Sequence, residues 1–149
     1  MKKLFFTSIL LTTVCFGYAQ KNYVVSFTEL PQKMAKEPRP VIIKMHTNWC
    51  GVCRLQDRQV EKDKDLQKLL ANSYYYIEFN AESQEKIVFN GKEYSFIPNG
   101  TGGINGLATA LTDTKSSYPE WVFLSADYKV ISHYNGLLKS NDLIGLLSP

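Results

Sequence analysis

Apolar residues recur with two different periods along this 149-residue chain, and the switches between them mark its elements. Residues 23–26 suit a short edge strand. Thr28 stands where it could cap a helix over 29–36, with Pro31 in the first turn, where its missing N–H costs nothing. Pro38 and Pro40 end that helix. The run Val41-Ile42-Ile43-Lys44-Met45 predicts a buried central strand. A helix starts near Cys50 and carries Val52, Leu55 and Gln59. A second helical piece over 65–71 sets Leu66, Leu69 and Leu70 on one face. Residues 74–79 are rich in β-formers and read as another strand. Tyr74, Tyr75 and Tyr76 alternate faces in it, which points to packing rather than to a binding strip.

The stretch 86–96 contains Asn90-Gly91, a strong two-residue hairpin signal. Residues 98–106 hold four glycines and read as a mobile loop or a series of tight turns. A short helix over 104–111 follows, weakened by Gly106. Residues 121–124 and 129–134 read as strands joined by 125–128. The last helix is expected to be capped by Ser140 or Asn141, with Leu143, Ile144, Leu146 and Leu147 facing the core. This order implies an α/β sheet covered on both faces.

The N-terminus looks like an export signal. Lys2 and Lys3 precede a mostly apolar stretch over 4–16, too short to span a bilayer comfortably. Gly17-Tyr18-Ala19 supplies small residues where a signal peptidase reads them. Cleavage is expected after Ala19, leaving one domain over 20–149 in the periplasm. The competing readings are a retained anchor and a lipoprotein; for the latter, Val14 before Cys15 is a poor fit. The full chain has 17 Lys+Arg against 14 Asp+Glu, and the leader removes two lysines, leaving a charge of +1. Such a balance gives no reason to expect a nucleic-acid partner. Nine Tyr and eight Phe fit β-structure. No later apolar run is long enough to cross a membrane.

Cys15 leaves with the leader, so the mature chain keeps only Cys50 and Cys53. There is no disulfide framework, and no second pair to complete a zinc site. The pair sits in Trp49-Cys50-Gly51-Val52-Cys53, delivered by a predicted strand to the first turn of a predicted helix. The positive end of a helix dipole stabilises a thiolate there. A redox-active couple and a small local disulfide both fit this spacing, and Trp49 with the strand-to-helix setting favours chemistry.

With the motif after strand 41–45, Ser117-Tyr118-Pro119 before strand 121–124, and Gly136 after strand 129–134, the chain resembles the thioredoxin-fold family over about residues 28–148. The segment after the motif is similar to the C-terminal domain of the DsbD reductase. In its export and small size the chain is also similar to periplasmic thioredoxins and TlpA-type proteins. The resemblance implies an α/β fold with a central mixed sheet flanked by helices. A hairpin and loop insertion, about 83–103, would precede a cis Pro119. It implies Cys50 as nucleophile and Cys53 as the more buried resolving cysteine, the two forming a disulfide in the oxidised state. Trp49, Tyr118, Pro119 and Gly136 would form the substrate-binding surface; the plainer role for Trp49 is core packing. No cofactor or metal is implied.

Two departures matter. Gly-Val stands between the cysteines where thioredoxins usually have Gly-Pro. Val52 keeps an N–H that proline lacks, and an added donor near the Cys50 sulfur would make the couple somewhat less reducing. Lys44 occupies the place of the family's buried Asp, and Glu78 that of its Lys, a charge swap. The two are expected to form a partly buried ion pair under the disulfide, with Glu78 shuttling the Cys53 proton. His46 could tune the thiolate, or hold Cu(I) with both cysteines in a rival metal-chaperone reading. His133 has no obvious partner and is assigned to structure. The expected activity is thiol–disulfide exchange, mainly reduction, on exported proteins that bear disulfides. A membrane donor of the DsbD or CcdA type would recharge a monomer. A disulfide donor is a further reading, as is an inert interaction domain, against which the intact cysteine pair argues.

Overall fold

A computed structural model describes residues 21–112 and 117–148; the expected leader and Cys15 lie outside the described residues. The elements run α1 (Leu30–Lys36), β1 (Val41–His46), α2 (Gly51–Lys62), α3 (Lys64–Ser73), β2 (Tyr75–Asn80), β3 (Ile87–Phe89), β4 (Lys92–Tyr94), β5 (Phe96–Asn99), β6 (Gly102–Asn105), α4 (Gly106–Leu111), β7 (Glu120–Leu124), β8 (Val130–Asn135) and α5 (Ser140–Leu147). The main sheet has the order β2-β1-β7-β8. β1 runs parallel to β2 and antiparallel to β7, which is antiparallel to β8, so the sheet is mixed as expected.

Side chains alternate across β1 and divide the core. Val41, Ile43 and Met45 pack with Leu30, Met34, Leu107 and Leu111, on the face covered by α1 and α4. Ile42 packs with Val60, Leu66, Leu70, Leu143 and Leu147, on the face covered by α2, α3 and α5. Lys44 shares that second face by the same alternation. Gln56 fixes α2 against the segment before α5: its amide donates to the Leu138 carbonyl (2.9 Å) and accepts from the Leu138 N–H (2.8 Å).

Several expectations shift. The strand over 23–26 reduces to one bridge, Val24 to Tyr76. Thr28 does not cap α1: the N-cap position is Glu29, and no side chain caps the helix there. In the turn before it the Ser26 hydroxyl accepts from the Glu29 N–H (3.2 Å), and the Glu29 carboxylate accepts from the Ser26 N–H (2.9 Å). Ser-x-x-Glu spacing allows that reciprocal pair, and Thr28 lies too far inside the turn. The second helix is longer than 65–71 because Asp63 caps it from outside, accepting from Asp65 and Leu66 N–H groups. At the other end, Lys139 takes the extended N-cap conformation (ψ 148°), so Ser140 is already helical and neither it nor Asn141 caps α5.

The insertion is two hairpins. β3 and β4 join at Asn90-Gly91, both with positive φ (48° and 73°), the type I′ pattern that the dipeptide signals. Residues 98–106 are not a loop: β5 and β6 pair antiparallel about Gly100-Thr101. Ile104 therefore belongs to a strand, and the helix begins at Gly106 with Asn105 as its cap. Fully buried Asn105 also donates from Nδ2 to the Ser83 and Glu85 carbonyls (3.0 and 2.9 Å), while its N–H donates to the Ala81 carbonyl (2.7 Å).

Candidate active site

β1 ends at His46, and a short connection brings Cys50 to the N-cap of α2. Cys50 has the extended conformation of a cap residue (φ −73°, ψ 102°), and its Sγ accepts from the Cys53 N–H at 3.1 Å. The first N–H groups of a helix have no helical acceptor, so the cap sulfur meets the positive end of the dipole. The added donor expected from Val52 is not the one used: the N–H that reaches the sulfur is that of Cys53. Cys50 and Cys53 are joined as a disulfide with Cα atoms 5.3 Å apart. Cys50 is 5 % exposed and Cys53 2 %.

The Tyr118–Pro119 bond is cis and faces this pair. The Tyr118 carbonyl oxygen lies 3.6 Å from Cys50 Sγ. Behind it, the Pro119 carbonyl accepts the Gly136 N–H at 2.8 Å. Gly136 has φ +103°, a conformation that favours glycine, so the turn after β8 braces the proline from a position few other residues could hold. Trp49 is 68 % exposed and lies outside the core. It is nevertheless held: its Nε1 donates to the Glu82 carboxylate at 2.9 Å, and its ring meets that of Tyr118 edge-on at 6.5 Å. Glu82 was not legible as a partner, because nothing in the spacing of residues 49 and 82 announces that the end of β2 returns beside the motif.

Lys44 is 1 % exposed, and two carboxylates meet its ammonium. Glu78 lies directly across the parallel register and reaches it at 3.4 Å. Asp57 on α2 contacts it more closely. The pair expected from the sequence is therefore one side of a three-membered cluster. Asp57 was missed, although its place one helical turn after Cys53 could have revealed it. Glu78 is shared with Lys21 (3.3 Å), which also meets Glu61 of α2 (3.0 Å). Partial burial opposes the charge on Lys21, but the Glu61 hydrogen bond and the Glu78 charge outweigh it and raise its pKa. The buried Tyr76 hydroxyl points to Glu78 at 3.4 Å, and burial followed by the Glu78 charge pushes its pKa well up. His46 is half-buried; burial, and then the Lys44 charge, lower its pKa.

A family model described as a thioredoxin-like domain matches residues 29–148, most of the chain. The chain belongs to the thioredoxin-like family. Solved structures of similar fold include a disulphide isomerase from Xylella fastidiosa Temecula1 (15 % identity, 93 % of this chain and 97 % of that one, TM-score 0.54). Others are the DsbH oxidoreductase (14 % identity, 84 % and 81 %, TM-score 0.56) and Trxlp from Edwardsiella tarda EIB202 (14 % identity, 85 % and 97 %, TM-score 0.54). At such identities the likeness is one of fold. No curated protein matches the chain. A thioredoxin-like fold with a Cys-x-x-Cys pair at the start of α2 makes this chain a thiol–disulfide oxidoreductase.

One feature of this thioredoxin-like site was not anticipated. Glu120, immediately after Pro119, is only 3 % exposed, and its Oε2 has no hydrogen-bond partner among the described residues. His133, assigned to structure alone, stands 3.8 Å from Oε1. Burial raises the Glu120 pKa from 4.5 to about 7. A carboxyl that holds its proton more tightly when folded contributes most below its unfolded pKa, and that contribution is lost as pH rises towards 7. Glu120 by itself is expected to remove about 2–3 kcal/mol of stability between pH 4.5 and 7, at about 1.36 kcal/mol per pKa unit, read by urea unfolding as the difference between the parent and Glu120→Gln. The same pH dependence in both proteins would place the titration elsewhere.

Proposed function

We propose that the chain works in the periplasm as a reductase of disulfides in exported proteins, after removal of residues 1–19. The observation that carries the exchange chemistry is the Cys50 sulfur at the α2 N-cap, accepting the Cys53 N–H at 3.1 Å and facing the Tyr118 carbonyl at 3.6 Å. In the reduced enzyme, the Cys50 thiolate attacks one sulfur of the substrate disulfide. A mixed disulfide forms, and the first substrate thiolate departs. The Cys53 thiolate then attacks the Cys50 sulfur, closing the Cys50–Cys53 disulfide and releasing the second substrate thiolate. Two electrons pass from the dithiol to the substrate, and a membrane dithiol donor of the DsbD or CcdA type returns them.

The substrate lies as an extended strand along the Tyr118 backbone beside Pro119, with the Gly136 turn behind and the Trp49 ring as its flat neighbour. Glu78 and Asp57 share the Lys44 ammonium under α2. Asp57, one helical turn beyond Cys53, and Glu78 accept the proton that Cys53 must lose before it attacks. Partial exposure of both carboxylates supports an exit to water.

The redox potential of the Cys50–Cys53 couple, by equilibration with dithiothreitol and thiol trapping, tests the direction of flow. A value near that of thioredoxin, about −270 mV, is expected of a reductase that needs a membrane donor. A value near about −120 mV would assign the chain to disulfide donation and overturn the reductase reading.

A further inference from the structure

Helix α2 holds its acids and its cations differently. Both of its acids are engaged: Asp57, on the inner side, by Lys44, and Glu61, exposed at the edge of the outer face, by Lys21 at 3.0 Å. Its cations point outward. Arg58 and Lys62 are exposed, and among the described residues neither side chain has an ion pair or hydrogen bond. Arg54 is exposed beside them; its guanidinium donates to the Asn48 carbonyl (3.2 Å), and no carboxylate meets it among the described residues. The same outer face begins with two exposed apolar side chains, Val52 (48 %) and Leu55 (41 %), within the first turns after Cys50. Positions 54, 58 and 62 recur every four residues, so the cations form a stripe of about 12 Å at 1.5 Å per residue. With both acids paired to lysines of other segments, the uncompensated charge that the helix carrying the disulfide presents to whatever approaches along it is positive.

We infer that the outer face of α2 is a docking surface for an acidic protein partner, which sets apolar side chains on Val52 and Leu55 and carboxylates on Arg54, Arg58 and Lys62 while a sulfur reaches Cys50. The inference rests on exchange at Cys50 and adds the partner's chemistry to it. Complementary charge of this kind raises the rate of encounter more than the strength of the complex, and salt screens it. Three cations are fewer than the clusters of about four to eight that anionic membranes select, and they span few phosphates, which suits a protein surface better than a lipid headgroup layer or a polyanion.

The test uses three cystine peptides with the same core, flanked by Glu, by Lys, or by neutral residues. Each is mixed with the pre-reduced protein in a single turnover, at about 20 mM and about 300 mM salt. The Glu-flanked peptide should react about 5–10 times faster than the Lys-flanked one at low salt, with the advantage largely gone at high salt. The advantage should shrink in Arg58→Gln/Lys62→Gln and reverse in Arg58→Glu/Lys62→Glu, while the neutral peptide reacts alike with all three proteins. Equal rates for the two charged peptides, or a preference that survives charge reversal, would overturn the inference with exchange left standing. Failure of the neutral peptide to react would remove exchange and the inference together. If the charged peptides react equally, and vesicles with about 30 % anionic lipid sediment the parent protein but not the charge-reversed one, the stripe belongs to a membrane surface and the protein-partner inference falls.

Discussion

Cys53→Ser should accumulate a mixed disulfide between Cys50 and substrate, and Cys50→Ser should accumulate none. The asymmetry follows from the cap. Of the two cysteines in the motif, Cys50 is the one whose sulfur accepts a helix N–H, at 3.1 Å, and faces the Tyr118 carbonyl beside which an incoming strand would lie. Cys53 is the more deeply buried of the two and can reach only a sulfur already attached at Cys50. Without it, attack still occurs but release does not, so catalytic turnover stops while the covalent complex builds up. Mass spectrometry of the two variants after mixing with a disulfide-bonded protein reads the result. An adduct on Cys53 in Cys50→Ser would exchange the two roles. The same adduct, formed on the parent protein, times the resolving step. Asp57→Asn and Glu78→Gln should each slow it most at the lower end of about pH 6–9, where the Cys53 thiol needs an acceptor. Rates unchanged across that range would remove both carboxylates from the proton path.

Lys44→Met should destabilise the fold by about 2–3 kcal/mol. Removing one member of a buried ion pair typically costs about 3–5 kcal/mol, because the remaining charge stays desolvated. The lower figure is chosen because Asp57 and Glu78 keep 29 % and 21 % side-chain exposure and Glu78 retains Lys21. Methionine fills most of the lysine volume, so the loss measures charge rather than a cavity. Urea unfolding checks the figure, and adding Asp57→Asn and Glu78→Gln to Lys44→Met should recover most of the loss. A loss below about 0.5 kcal/mol would mean that water, not Lys44, compensates the two carboxylates.

Much of this layout could be read along the chain, because short-range patterns decided it. The apolar run around Ile42 and Ile43 had only one place to go, the middle of a sheet. Asn90-Gly91 fixed its own turn. Lys44 and Glu78 were recognisable as a pair because a parallel register sets them opposite each other. What escaped notice depends on partners far away in sequence. Asp57 joins the cluster through the docking of α2 on β1, Glu82 through the return of β2 beside Trp49, and Glu120 meets His133 across two strands. The second hairpin was hidden by its glycines. They lower strand propensity, yet Gly100 (φ 58°) makes the reversal between β5 and β6, and Gly103 leaves the room that the Phe96 ring and Ile97 backbone take up.

Asn105 gives this insertion a definite seam. Its side chain holds the Ser83 and Glu85 carbonyls while capping α4, and its N–H is bound to Ala81, so the stretch enters and leaves the domain at nearly one point. Inside the seam, Ile87 and Phe89 are part of the domain core, so it is the outer ends of the hairpins, around Asn90-Gly91 and Gly100-Thr101, that can change length or composition without displacing β2 on one side or α4 on the other. Those ends are in effect interchangeable tips on a stem rooted in the core. Related chains that keep the asparagine, its three carbonyl partners and apolar side chains at 87 and 89 should be free to carry different tips on the same redox domain.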